Sequence, residues 1–216
     1  MRAYVLHGID DLRLEETALP EIKEREVLVK VMAAGICGSD IPRIYKTGTY
    51  SYPLIPGHEF SGTVIETGLK ADKKWMGKRV GIFPLIPCGE CESCRKKQYE
   101  MCRHYSYLGS RTNGGFAEYA AVPEENLIEL PEEVSYEVAA MLEPMAVAVH
   151  AMRKSGVMKE NPVVVYGLGT IGLLLCMFLL DAGVRDIYVI GNKEFQKRMA
   201  DSLGISETHY CDCRTR

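Results

Sequence analysis

Four cysteines of this chain are spaced as metal ligands usually are. In "CGECESCRKKQYEMC", two residues separate Cys88 from Cys91 and Cys91 from Cys94, and seven lie between Cys94 and Cys102. Four thiolates from one short loop can close a tetrahedron around Zn²⁺, and a closed four-sulfur set leaves no corner for water or substrate, so the expected role is structural. Such an ion would hold a long polar loop that has little apolar surface of its own to bury. Four incidental thiols or an iron–sulfur cluster are the alternatives, and the seven-residue gap departs from the usual ferredoxin run.

Cys37 and His58 pose a different question. They stand 21 positions apart in "GICGSDIPRIYKTGTYSYPLIPGHEF", each beside glycine, where glycine and proline discourage a helix. Alone, a cysteine is usually a small buried hydrophobe and a histidine a satisfied hydrogen bonder. Gathered with a carboxylate on one cation they make three ligands and one open corner, the arrangement of a catalytic zinc. An oxygen ligand can take that corner, and the ion lowers the pKa of a hydroxyl or water bound there. Asp40 either orients His58 from behind or caps its own Gly-Ser turn.

A third cluster is "GLGTIG", a GxGxxG match at Gly167, Gly169 and Gly172 with Thr170 and Ile171 inside it. It follows the strand-like "VVVY" and opens an apolar helix, the context in which the motif binds a dinucleotide pyrophosphate at a helix N-terminus. A βα turn with glycines for packing alone is the competing reading. The next strand, "DIYVI", ends in Gly191, Asn192 and Lys193, where an NAD-binding carboxylate would be expected. With Lys193 near and Glu194 following, NADP is an expectation and NAD stays open.

The elements that must position these groups fall into two parts. Residues 1 to about 130 read as short strands with Gly and Pro punctuation: "RAYVLH", "EVLVKVMAA", "GTVIETG", "KRVGIF" and "FAEYAAV". Val27, Val29 and Val31 share one face, the period of a half-buried strand. From Pro131 helix formers take over, with Pro144 as a start or kink. A βαβ unit, with a buried type of first strand, follows from Pro162. The expected domains are 1–152 and 153–216. A complete dinucleotide domain needs two βαβαβ halves, so the chain is expected to be truncated.

Bulk composition excludes several classes. The 216 residues are 47% hydrophobic and 25% charged with a net charge of -3, an ordinary globular balance. The longest basic run is Arg95, Lys96 and Lys97, no footprint for nucleic acid. "IGLLLCMFLL" is too short to cross a bilayer, so no membrane association is expected. The first residues lack the order of a secretory signal, which points to the cytoplasm and to reduced thiols. Cys176 is expected in a core, while Cys211 and Cys213 suggest no third metal site.

"GICGSD", "GHEFSGTVIETG", the four-cysteine loop, "GGFAEY", "EPMAVAVHA" and "GLGTIG" follow one another in an order that resembles the zinc-dependent medium-chain alcohol and polyol dehydrogenases. The resemblance spans the whole chain. It implies a mixed α/β fold, with a mostly β GroES-like catalytic domain and the start of a Rossmann NAD(P)-binding domain. It implies two Zn²⁺ sites: Cys37, His58 and Glu143 at the catalytic ion, and Cys88, Cys91, Cys94 and Cys102 at the structural one. Glu59 matches a carboxylate that serves as a ligand in some members, and Ser39 matches a proton-relay hydroxyl. Thr170, Ile171, Asn192 and Lys193 join the glycines as cofactor contacts.

The implied substrate is a small-molecule polyol or polyol phosphate, with a homo-oligomer for the full-length form. Members that oxidise a sugar-alcohol phosphate to a ketose phosphate match best, while sorbitol, butanediol and threonine dehydrogenases share the metal motifs. A phosphorylated substrate needs a cation, and Arg43, Lys46 and Arg111 are the candidates. The non-enzyme alternative is a zinc-stabilised fragment without turnover.

Overall fold

The computed structural model describes residues 1–206 and 209–214. Two compact units are present, Met1–Glu143 and Pro144–Arg216.

The first unit begins with the antiparallel pair β1 (Arg2–Gly8) and β2 (Asp11–Glu16). Its centre is a sheet of five strands: β3 (Glu26–Gly35), β4 (Glu59–Thr67), β5 (Arg79–Ile82), β8 (Tyr119–Pro123) and β9 (Leu127–Glu129), in the order β8-β3-β4-β5-β9. The period-two face expected for β3 exists: Val27 and Val29 are fully buried in one cluster with Phe60, Val64, Val80, Ile82 and Val122, and Val31 packs against it. Leu28, on the opposite face, is buried as well. Each such side chain contributes about 1.5–3 kcal/mol relative to exposure.

One pairing in this sheet positions chemistry. β3 and β4 run antiparallel until Gly35 stands opposite Glu59. The long excursion between them therefore leaves and returns at the same end of the strand pair. Two register shifts, between Leu28 and Val29 and between Val31 and Ala33, set which side chains face which way.

Between β5 and β8 lies a second excursion, closed at its base by the short strands β6 (Leu85–Ile86) and β7 (Ser106–Tyr107). The four loop cysteines lie between these two strands. Helix α1 (Asp40–Pro42) sits inside the first excursion and α2 (Glu92–Arg95) inside the second. α3 (Tyr136–Ala140) docks by hydrogen bonds: Ser61 Oγ donates to the Tyr136 carbonyl at 2.6 Å, and the hydroxyls of Thr63 and Tyr136 meet at 2.7 Å. α4 (Leu142–Ser155) follows with Pro144 in its first turn, where the missing N–H costs no helical bond.

In the second unit, β10 (Val163–Tyr166), β11 (Ile187–Gly191) and β12 (Tyr210–Asp212) form a parallel sheet in sequence order. α5 (Thr170–Asp181) links β10 to β11, and α6 (Glu194–Ser202) follows β11. Val165, Cys176, Leu179, Ile187, Val189 and Ala200 share its core. β10 departs from the buried strand expected of "VVVY", since Val164 and Tyr166 are 62% and 79% exposed. A parallel sheet needs cover on both faces, and the outward residues of β10 have none among the described elements. Among the described residues no helix is long and apolar enough to cross a membrane.

Candidate metal centres

The four loop sulfurs converge. Sγ–Sγ distances are 3.5 Å for Cys91–Cys94 and 3.9 Å for both Cys88–Cys94 and Cys91–Cys102, and all four donors lie within 4.8 Å of one another. A tetrahedron with Zn–S bonds of about 2.3 Å has edges of about 3.8 Å, so the set fits zinc. The backbone prepares it: the Cys88 N–H points at Cys102 Sγ at 3.3 Å. Hydrogen bonds, first from the Cys94 backbone and then from Arg103, hold the Cys91 thiol down to about 6. Burial first, then the neighbouring thiols, pushes Cys94 up to about 12. Backbone N–H groups aimed at one sulfur and the burial of another set the two apart.

The second set uses the β3–β4 junction. Cys37 lies two residues beyond the end of β3 and His58 just before the start of β4, so the Gly35–Glu59 pairing draws them together. One donor atom each from Cys37, His58 and Glu59 lies within 4.8 Å of the others. His58 and Glu59 are buried and Cys37 is half-buried. Burial pushes the Glu59 carboxyl above its usual range, opposed by His58 and by a hydrogen bond from Cys37, and reinforced by Glu143 and Asp40. A thiol, an imidazole and a carboxylate held away from water without a compensating charge fit a divalent zinc.

The surroundings orient these donors. Asp40 is fully buried, and its carboxylate accepts from the Cys37 N–H at 2.9 Å and from Arg43 Nη1 at 2.7 Å. The same carboxylate faces His58 Nδ1 at 3.5 Å, and Nδ1 has no hydrogen-bond partner of its own. Asp40 thus holds the local turn through the Cys37 N–H, and its carboxylate lies beside the imidazole without a hydrogen bond to it. Gly35 leaves space for Glu59: a Cβ there would lie 2.6 Å from Glu59 Oε2.

The glycine turn has its own logic. Gly167 has φ of +98°, and a Cβ on Gly172 would run into the Gly167 carbonyl, so two of the motif's glycines are required by backbone shape. A Cβ on Gly169 would meet nothing within 4 Å, and Gly169 is the residue from which α5 departs. Its freedom from contact leaves the helix N-terminus open to an anion.

A family model for the alcohol dehydrogenase GroES-like domain matches residues 23–132. The chain belongs to this family. The match covers the five-stranded sheet from β3 onward, the thiol loop and the Cys37–His58–Glu59 cluster. The chain is 38% identical over 198 residues to galactitol 1-phosphate 5-dehydrogenase of Escherichia coli (strain K12), covering 91% of this chain and 57% of that protein. It is 41% identical to D-arabitol-phosphate dehydrogenase of Enterococcus avium, over 82% of this chain and 51% of that protein. Among solved structures, a short chain alcohol dehydrogenase of Escherichia coli CFT073 complexed with NADH superposes with a TM-score of 0.92 at 30% identity, over 100% of this chain and 63% of that one. The chain thus spans a little over half the length of these relatives.

Within the GroES-like domain, the other expected site residues scatter. Ser39 is exposed, and its N–H points at Cys37 Sγ at 3.5 Å. Glu143, at the end of the first unit, stands outside the three-donor cluster and accepts from the Tyr107 hydroxyl at 3.2 Å. Arg43 is committed to Asp40 and Lys46 is exposed. Arg111 lies between the rings of Tyr50 and Tyr105. In the second unit, Thr170 and Ile171 are exposed in the first turn of α5. The Asn192 N–H donates to Gln196 Oε1 at 3.2 Å, and Lys193 Nζ lies 5.7 Å from the Phe195 ring.

Tyr107 is the residue that sequence reasoning missed. Its ring stands edge-on to His58 at 5.8 Å while its hydroxyl holds Glu143, and burial, then Glu143, pushes its pKa up. No spacing rule marks it; its one signal is its place at the end of the strand that closes the thiol loop.

Proposed function

We propose that the protein containing this chain is a zinc-dependent oxidoreductase that moves hydride between a secondary alcohol of a polyol or polyol phosphate and NAD(P). One observation carries the reading: a thiol, an imidazole and a buried carboxylate with a raised pKa meet within 4.8 Å at the end of one strand pair. Zinc supplies a Lewis acid that acidifies a hydroxyl, and a nicotinamide supplies the hydride acceptor. Everything else falls to the chain. Cys37, His58 and Glu59 hold the ion, with Glu143 beside them on Tyr107. Asp40 keeps the His58 ring turned, and Ser39, exposed next to Cys37, carries the alcohol proton to solvent. Cys88, Cys91, Cys94 and Cys102 hold the structural ion.

Residues 1–152 are assigned the alcohol chemistry and 153–216 the first part of the cofactor unit, with Gly167, Gly169, Thr170, Ile171 and Gly172 at the pyrophosphate and Asn192 and Lys193 toward the ribose. Similarity to the E. coli enzyme supports galactitol 1-phosphate, oxidised to tagatose 6-phosphate, as the substrate to test first. The proposal places the whole protein in the cytoplasm as a homo-oligomer. A second reading, a zinc-stabilised fragment without turnover, is favoured by the 57% span of that relative.

Metal analysis with an NAD(P) reduction assay on galactitol 1-phosphate separates the two. Two zinc ions per chain with turnover is the expected result; one ion and no turnover supports the fragment. Equal assays with NAD and NADP decide the cofactor, and a strong NAD preference removes the part given to Lys193.

A further inference from the structure

Three cations were candidates for a phosphate, and the structure separates them. Arg43 is neutralised: its guanidinium donates to the fully buried Asp40 at 2.7 Å. Lys46 is a solvated point charge exposed on the short π-helix Arg43–Thr47. Arg111 differs from both. Its guanidinium carbon lies 4.1 Å from the Tyr50 ring centroid and 4.3 Å from that of Tyr105, while its Nε is buried and makes no hydrogen bond. Among the described residues no carboxylate pairs with it. A guanidinium held by two rings and also engaged by the Tyr105 and Tyr50 side chains loses motion, and the N–H groups those contacts leave over are what it can offer a planar acceptor.

The clamp also joins the two excursions that carry site residues. The Arg111 N–H donates to the Tyr107 carbonyl at 2.9 Å, and Tyr107 stands against His58. On the other side, Thr49 Oγ1 donates to the Ser110 carbonyl at 2.6 Å, tying the Tyr50 segment, which runs on from Cys37 and Asp40, to the Arg111 turn. That turn presses on the backbone at Gly57, the neighbour of His58: a Cβ on Gly109 or Gly114 would run into the Gly57 carbonyl.

We propose that Arg111, clamped between Tyr50 and Tyr105, is the group that grips the phosphate of a phosphorylated polyol. The assignment rests on the polyol reading above and narrows it to phosphate monoesters. One charge-assisted hydrogen bond of this kind is worth about a 10- to 100-fold difference in affinity.

The test is calorimetric titration of the zinc-loaded chain with galactitol 1-phosphate and with galactitol, read as the ratio of the two affinities. Wild type is expected to favour the phosphate ester at least about tenfold, and Arg111→Gln to bring the ratio near one. Tyr50→Leu, at a ring that is 70% exposed and so dispensable for folding, is expected to lower the ratio about threefold by loosening the clamp. A ratio unchanged in Arg111→Gln, or one that collapses in Lys46→Gln instead, overturns the assignment and leaves the polyol reading standing. Equal binding of both compounds by wild type overturns it likewise. Binding of neither compound removes the assignment and the polyol reading together.

Discussion

The two donor clusters of this chain are built by opposite means. The four thiols come from one loop of the sequence, and the metal geometry they need is present within that loop, down to the 3.5–3.9 Å sulfur separations. Cys37, His58 and Glu59 owe their meeting to a sheet, through the pairing of Gly35 with Glu59. The first cluster supports the fold around it, while the second depends on a fold already made. A closed local set and an open, sheet-borne set should therefore fail in different ways.

The largest contrast lies in stability. Cys94→Ala is expected to remove one zinc and several kcal/mol of stability, because structural zinc in small domains is worth about 10–16 kcal/mol of apparent binding energy. Limited proteolysis between β6 and β7 and a lowered melting temperature would show it. His58→Ala should also remove one zinc, yet keep the melting transition within about 1–2 kcal/mol of wild type, with turnover of the proposed reaction falling at least about a thousandfold. If both variants unfold alike, the distinction between the clusters is wrong.

A smaller effect is expected one layer out. Asp40→Asn should weaken metal binding at the Cys37 cluster about 10- to 100-fold, measured by competition with a chelator, and leave the thiol loop untouched. Gly35→Ala probes the sheet itself. The added methyl displaces the Glu59 carboxylate, for an expected loss of about tenfold in metal affinity at the same cluster.

The smallest effect concerns pH. The Glu59 carboxyl is raised above 4.5 in the fold, mainly by burial. A raised acid binds more protons folded than unfolded, so its contribution is favourable at low pH and is lost as pH rises from about 4.5 through the folded value. Metal-free Glu59→Gln should therefore gain stability relative to wild type as pH climbs through that window. Added zinc should reverse the order, since the carboxylate is then needed charged. A difference independent of pH would show that Glu59 carries no such strain.

The same local-versus-distant division explains how much was legible beforehand. The thiol loop is read from spacing alone because its ligands are sequence neighbours. Likewise, the glycine turn at Gly167 is read from a strand, a bend and a helix in immediate succession. Three-dimensional pairing decides the rest. Asp40 could be a turn cap or a histidine partner by sequence, and only the approach of β3 to β4 brings the carboxylate that holds the Cys37 turn within 3.5 Å of His58 Nδ1. Tyr107 carries no motif, since its meaning comes from β7 delivering it to His58. Charge type likewise failed to rank Arg43, Lys46 and Arg111, because a buried aspartate and two tyrosine rings distinguish them. The exposed outer face of β10 was unreadable for a similar reason: an apolar run marks a strand without telling which of its faces its neighbours cover.

The bare backbone crossing of Gly57, Gly109 and Gly114 has a last consequence. With no side chains between them, the Gly57 carbonyl takes the Gly115 N–H at 2.8 Å, and the two loops are fastened main chain to main chain. Variation in which molecule the protein accepts is then channelled to the tips of those loops, at Tyr50, Tyr105 and Arg111, where residues can be exchanged without disturbing the joint. A lineage or a designer can retune recognition there while the metal-holding framework stays as it is.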